Sequence, residues 1–542
     1  MAEVLTGEIF KNAVLSGANV LKNHRTQVDA LNVFPVPDGD TGTNMSMTIE
    51  SAAGALRVTT DTALGAIAKT TAGGLLRGAR GNSGVILSLI FRGISKGLKG
   101  METADGKQLA AAFEKGKESA YKAVMNPTEG TILTVVRLAA AAASEKASDD
   151  YKETFLTFYE AAKAALLTTP ELLPVLKEAG VVDAGGQGFC YVLEGMKSYI
   201  IDGVLVALDG EEANEMKKAP EKAYAYSVKL AVKKVKAAEA EVEGFQNFLN
   251  NTGAVDAFHY EKKNLSIAVL ADDPAAVLAE AMKLGDMSQI EILNVLESQE
   301  STEPKAEKVE ANAKEKFERV EPEKDYGFVA IAAGQGVKEL FLEIGADTVV
   351  SGGQTMNPST DDILKAIEAT PARHVFVLPN NKNIIMAAEQ TIPLADRKVS
   401  VLATKTIPQG ISALLSFDES LDAEENHLEM MKVAENVHTA QVTFAARDSE
   451  YSGETIKKGQ ILGMEDGKIT LVEDDLVDAA YRVTRRLVKK YDGSILTILY
   501  GEDTNEETAN ALCERLQARF PSVEINVVNG GQPVYYFMVA VE

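Results

Sequence analysis

Asn32-Val33-Phe34-Pro35-Val36-Pro37-Asp38-Gly39-Asp40-Thr41-Gly42-Thr43-Asn44-Met45 sets two carboxylates on a stiff, glycine-hinged turn that leads into an apolar helix. Pro35 and Pro37 fix the backbone on the way in, and Gly39 and Gly42 permit φ values that other residues resist. Asp38 and Asp40 can then point the same way, with Thr41, Thr43 and Asn44 supplying polar groups at the helix start. Hard oxygen ligands beside a helix N-terminus suit Mg²⁺ carrying nucleotide phosphates. Phosphoryl transfer is therefore the leading expectation. Asp-Gly-Asp alone is also a common turn signal. An EF-hand calcium loop does not fit, because Ile49 stands where its twelfth-position Glu belongs.

Outward from this turn, residues 1–200 read as a multi-helix bundle. Ile9, Phe10, Val14, Leu15, Ala18 and Leu21 recur at helical spacing, and Ala-rich runs at 138–147 and 155–167 continue the pattern. From about residue 223 the texture changes. Strands are expected at 226–235, 265–270 and 290–296, with helices at 237–249 and at 274–284, the latter capped by Asp272 or Asp273. Residues 221–300 thus form a small α+β domain. Residues 301–325, rich in Glu, Lys, Ala and Pro, read as a charged linker or, less interestingly, a mixed-charge helix. In 326–542, strands at 328–332, 348–350, 374–378, 399–403, 495–499 and 523–528 alternate with helices. That pattern predicts an α/β domain with a largely parallel sheet and a hairpin-rich insert at 441–472. The expected fold is multidomain: an all-α bundle, a small α+β middle domain and an α/β C-terminal domain.

A chain of 542 residues is too long for one ordinary core. Its formal net charge of -24 repels nucleic acid and anionic membrane alike. Cys190 and Cys513 are the only cysteines, too few for a disulfide framework, which fits a reducing cytoplasm. No secretory signal or membrane-spanning run is visible, so a soluble cytoplasmic protein is expected. His24, His259, His374, His427 and His438 show no metal or triad spacing and read as structural.

Three further segments lie in the helical region. Arg77-Gly78-Ala79-Arg80-Gly81-Asn82-Ser83-Gly84 can cradle phosphate with backbone N–H groups and a hydroxyl, or can simply allow close helix packing. Pro127-Thr128-Glu129-Gly130-Thr131 and Val182-Asp183-Ala184-Gly185-Gly186 follow. In this order the four segments resemble the nucleotide-binding L subunit of dihydroxyacetone kinases, the DhaL type. The Pro35-Val36-Pro37 form of the turn resembles the bacterial fatty acid kinase A branch of that family. Gly352-Gly353-Gln354-Thr355-Met356-Asn357-Pro358-Ser359, Leu378-Pro379-Asn380-Asn381-Lys382-Asn383, Thr406-Ile407-Pro408-Gln409-Gly410 and Gly530-Gly531-Gln532-Pro533 extend that resemblance over nearly the whole chain. The C-terminal domain then resembles DegV-type fatty-acid-binding folds. Read unaided, these are Asn- and Gly-rich loops at strand ends, suited to a ligand site or to an interface.

The resemblance implies ATP and Mg²⁺ as cofactors, with Asp38 and Asp40 on the metal. Thr41, Thr43, Asn44, Gly81, Asn82, Ser83, Gly84 and Thr131 would fix the phosphates, and Asp183 would close the pocket. Arg80 is the candidate cation for charge developing on the transferred group, with Arg77 and Arg137 left open beside it. In dihydroxyacetone kinases of this type a third Asp stands five residues before the pair. Val33 stands there in this chain, so neighbouring Asn32 is the candidate third ligand. Related proteins also carry a Cys and a His-X-His pair in the middle domain, where this chain has Ser227, Ala268 and Leu270. Zinc is not expected there.

The implied reaction is ATP-dependent phosphorylation of a fatty acid held by a separate fatty-acid-binding protein, and a homodimer is expected. A fatty carboxylate, with a pKa of roughly 4 to 5, is already ionised at pH 7 and needs no general base. A dihydroxyacetone-type kinase and a non-catalytic lipid-sensing scaffold are the alternatives.

Overall fold

The computed structural model describes residues 3–32, 39–124, 127–208, 226–233, 239–261, 264–271, 273–294, 317–353, 356–445, 449–451 and 454–542. It divides into two compact units, one of Met1–Ala213 with Glu315–Glu542 and one of Asn214–Lys314. Asp38, Val33 and most of the charged segment lie outside the described residues.

The helical part starts with β1 (Leu5–Thr6), paired with β2 (Thr103–Ala104). Its helices are α1 (Gly7–Asn23), α2 (Arg25–Leu31), α3 (Thr41–Val58), α4 (Leu64–Gly78), α5 (Gly81–Gly97), α6 (Gly106–Ala123), α7 (Ile132–Glu145), α8 (Tyr151–Leu167), the short α9 (Thr169–Leu172) and α10 (Pro174–Ala179), and α11 (Ala184–Asp202). The predicted bundle is found. Phe10, Val14, Ala18 and Leu21 of α1 are buried against a core that includes Met45, Ile49, Ile90, Phe158 and Phe189. Short connections make successive helices of α3 to α8 antiparallel neighbours, so α3, α5 and α7 open at one end of the bundle. The start of α11 joins them there: the Asp183 N–H donates to Thr169 Oγ1, just past the end of α8 (3.1 Å). Each sequence motif therefore opens a helix, and all four helices open at the same end.

The middle unit is an antiparallel sheet in the order β4 (Gly253–Glu261), β5 (Asn264–Ala271), β3 (Tyr226–Lys233), β6 (Asp286–Asn294), with α12 (Glu239–Thr252) and α13 (Pro274–Leu284). Leu230, Val232, Ile267 and Val269 pack with Val242, Phe245, Leu249 and Val277. Asp273 caps α13 by accepting from the Ala275 and Ala276 N–H groups. Strand β4 goes beyond the sequence expectation, and β6 begins four residues before its predicted start. Ser227 pairs in register with Leu270.

The C-terminal part holds two sheets. A four-stranded sheet, all parallel, has the order β10 (Lys398–Val401), β9 (Ala372–Leu378), β7 (Lys324–Ala332), β8 (Thr348–Ser351). With it come α14 (Gln335–Glu343), α15 (Thr360–Ala369), α16 (Lys382–Glu389), α17 (Ile407–Leu415) and α18 (Ala423–Glu435). The second sheet corrects the parallel expectation. Its order is β15 (Lys468–Glu473), β14 (Ile461–Glu465), β11 (His438–Phe444), β18 (Phe537–Val541), β16 (Ile495–Tyr500), β17 (Glu524–Asn529), and only β16 and β17 run parallel. It carries α19 (Leu476–Tyr491) and α20 (Glu506–Arg519), while β12 (Ser449–Tyr451) and β13 (Glu454–Ile456) make a separate ribbon. The predicted insert at 441–472 is thus mostly sheet: β11, β14 and β15 bury Ala440, Val442, Leu462, Met464, Ile469 and Leu471 in the core.

Candidate functional site

Asp40 holds the N-cap position of α3 yet makes no capping hydrogen bond. Asp29, on α2, does that work instead. Its carboxylate accepts from the Thr43 backbone N–H and from Thr43 Oγ1, both at 2.9 Å. Delegating the cap frees the Asp40 carboxylate from capping at a position where the helix dipole favours negative charge. Burial pushes the Asp40 carboxyl above its ordinary range, amide donors from Asn44 and Asn357 pull it back, and the negative charge of Asp29 adds to the rise. Asp29 is thus the second acidic side chain that the described residues place here. Asn32 is buried at the end of α2. Thr43 is engaged by Asp29, while Thr41 and Asn44 are buried in the first turn of α3.

Helix α5 packs its start against α3. Gly81 has φ +58, and a Cβ there would come within 2.6 Å of Asn44 Nδ2, so both conformation and space require glycine. A Cβ at Gly84 would strike Thr48 Oγ1. These glycines let the first turns of α3 and α5 lie side by side, bringing two helix N-termini together. Ser83 is half-buried in that turn of α5, and Asn82 Nδ2 donates to Asn383 Oδ1 (3.3 Å).

The other two motifs resolve into caps. Thr131 caps α7 by accepting from the Leu133 N–H (3.3 Å). Asp183 caps α11 by accepting from the Gly186 N–H (2.7 Å) and also accepts from the Ile132 backbone, which ties α11 to the start of α7. Burial pushes the Asp183 carboxyl up to about 6, against the pull of those N–H donors. A raised acid pKa means that the folded state holds the proton more tightly than the unfolded chain. The resulting stability is fully present below about pH 4 and is lost as pH rises through about 6, up to ~3 kcal/mol in all. Thermal melts of Asp183→Asn, compared with wild type from pH 4 to 7, should lack that downward trend; parallel curves would contradict the assignment.

The three arginines differ in their surroundings. Arg137 pairs with Glu129 (2.8 Å), and exposed Arg77 lies 3.9 Å from Asp361. Arg80 turns toward the C-terminal domain, with Nη2 at 3.1 Å from Asp362 Oδ2 and Nη1 donating to the Asn357 carbonyl at 2.6 Å. Burial opposes ionisation of Asp362, but hydrogen bonds from Ser359 and the charge of Arg80 outweigh it and hold the carboxyl below the usual range. His24 stacks on Tyr191, His374 meets Ser400 Oγ and His438 meets Asp466, which agrees with structural roles. Among the described residues no three His, Cys, Asp or Glu side chains cluster as a metal site, and no helix is long and apolar enough to cross a membrane.

A cavity of about 110 Å³ lies among the strand-end loops of the C-terminal domain, lined in part by Gly352, Asn380, Lys382, Lys405, Thr406 and Gln532. The Asn- and Gly-rich segments thus divide their work: Asn380 and Gln532 line this cavity, whereas Asn357 and Asn383 touch the helical domain.

Comparison with known proteins fits this division. A DAK2 domain model matches residues 35–198, and the FakA-like C-terminal model, of the fatty acid kinases, matches residues 327–542. A DAK2 helical domain with this C-terminal partner defines a kinase class related to dihydroxyacetone kinase. Protein YloV of Bacillus subtilis (strain 168) is 38% identical over 557 residues, covering 99% of each chain. Uncharacterized protein SH1689 of Staphylococcus haemolyticus is 37% identical and covers 100% of each. The chain belongs to the FakA-like family of fatty acid kinases. Among solved structures, the DegV family protein Cg2579 from Corynebacterium glutamicum aligns with TM-score 0.32 at 15% identity, over 40% of this chain and 96% of that one. The dihydroxyacetone kinase from C. freundii in complex with AMP-PNP and Mg²⁺ aligns with TM-score 0.29 at 18% identity, over 36% and 35%. Likenesses this faint identify no ligand.

Proposed function

We propose that the chain transfers the γ-phosphoryl group of ATP to a fatty acid presented by a separate fatty-acid-binding protein. A carboxylate oxygen of the acid attacks the γ-phosphorus, the bond to the β–γ bridging oxygen breaks, and acyl phosphate and ADP result. The observation that carries this reading is Asp40: a carboxylate at a helix start, relieved of capping by Asp29 and, among the described residues, held by the neutral amides of Asn44 and Asn357. Asp40 and Asp29, with Asp38 adjoining in sequence, offer the hard oxygens that Mg²⁺ takes, and the ion would neutralise phosphate charge there. The starts of α3 and α5 supply N–H groups for the phosphates. No side chain is asked to remove a proton, because the acceptor is already ionised. The C-terminal cavity, at about 110 Å³, falls well below the roughly 300 Å³ of ordinary ligand pockets, which favours an acyl chain held by the partner.

One observation favours a second reading, in which the chain binds nucleotide without transferring phosphate. Ser227, Ala268 and Leu270 cannot act as thiolate or imidazole groups in the middle domain. Incubation with labelled ATP, Mg²⁺ and lipid-loaded binding protein, with hydroxylamine trapping, separates the two. Acyl hydroxamate supports the kinase; transfer to dihydroxyacetone instead, or to neither acceptor, contradicts it.

A further inference from the structure

We infer that the C-terminal domain completes the acidic site of the helical domain, with Asn357 as the positioning residue for Asp40. This rests on the nucleotide-site reading above. The residues concerned lie 317 positions apart, yet Asn357 Nδ2 donates to Asp40 Oδ2 at 2.7 Å. The same amide lies 3.4 Å from Asn44 Oδ1, and Asn357 is only 2% exposed.

The loop carrying Asn357 is fixed on both sides. Ser359 caps α15 in a reciprocal box with Asp362, the Thr360 N–H donates to the Ala79 carbonyl (3.1 Å), and Arg80 clasps Asn357 O and Asp362. Beneath this polar layer, Ala79, Val85 and Leu89 of the helical part share one apolar core with Val329, Ile331, Val350 and Ile363.

The chemistry of the contact says what it does. Asn357 and Asn44 stabilise the ionised form of Asp40 without cancelling its charge, and Asp29 adds a second negative charge beside it. Among the described residues, buried Asn357 Oδ1 meets no hydrogen-bond donor. This unpaired acceptor lies on the same side chain that holds the Asp40 carboxylate, and a hydrated cation bound there would satisfy both. A contact serving docking alone would have no need to place a neutral donor on the one carboxylate freed from capping. Held this way by neutral amides, the Asp40 carboxylate keeps its negative charge for a metal.

The test is AMP-PNP binding to the full chain by titration calorimetry, in Mg²⁺ and in EDTA. Asn357→Ala should lose at least tenfold of the Mg²⁺-dependent affinity while binding in EDTA stays within twofold. Asn357→Asp, which replaces the donor by a like charge, should lose more. Asp361→Ala disturbs the same domain contact without touching Asp40 and should behave as wild type; thermal melts confirm that each variant folds. An unaffected Asn357→Ala, a tighter Asn357→Asp, or an Asp361→Ala that matches Asn357→Ala would overturn the inference alone. A wild type that gains no affinity from Mg²⁺ would remove the nucleotide reading and this inference with it.

Discussion

Asp40→Ala is expected to abolish phosphoryl transfer, by roughly 10³-fold or more, while melting no lower than wild type. Charge placed where a phosphoryl group is handled is among the largest catalytic terms, because it acts in a site shielded from water. The stability half of the expectation comes from the cap. The Asp40 side chain does not cap α3, its carboxyl is disfavoured by burial, and Asp29 repels it, while the backbone carbonyl that accepts from the Asn44 N–H (2.8 Å) is kept in the alanine variant. Removing it relieves a desolvated charge and leaves the helix start intact. Such a trade of stability for activity marks a functional site. Activity assay and thermal melting of the same preparation decide it: an active variant, or an inactive one that has unfolded, would count against the role.

Asp29→Ala should differ by losing both. The two hydrogen bonds to Thr43 go, the first turn of α3 is left uncapped, and about 1–2 kcal/mol of stability goes with them. Transfer should fall by roughly 10²-fold or more as the start of α3 shifts under Asp40. Asp29→Asn separates the contributions. An amide oxygen still accepts from Thr43, so this variant should recover most of the stability while remaining impaired in transfer. Full activity in Asp29→Asn would reduce Asp29 to a cap and nothing more.

The helical part was the most legible, because periodicity and caps are local. Asp38-Gly-Asp40, the Arg80-Gly81 turn, Thr131 and Asp183 each mark a helix start that neighbouring residues suffice to reveal. What escaped reading acts across the chain. Asp29 meets Thr43 from fourteen residues away, a contact that no local spacing marks. Asn357 reaches Asp40 from the other domain, and nothing in its own loop announces that partner. The hairpin of β14 and β15 looks like an excursion in sequence, yet pairing of β11 with β14 and β18 makes it a third of a six-stranded sheet. Strand β4 was hidden by polar Asp256 and His259 within a run too mixed to alternate cleanly.

Manganese binding followed by electron paramagnetic resonance, with ADP present, tests the acidic site most directly. Full-length wild type should hold Mn²⁺ tightly only with nucleotide, and Asp40→Ala should leave that signal free in solution. Equal Mn²⁺ uptake by the two proteins would contradict the assignment.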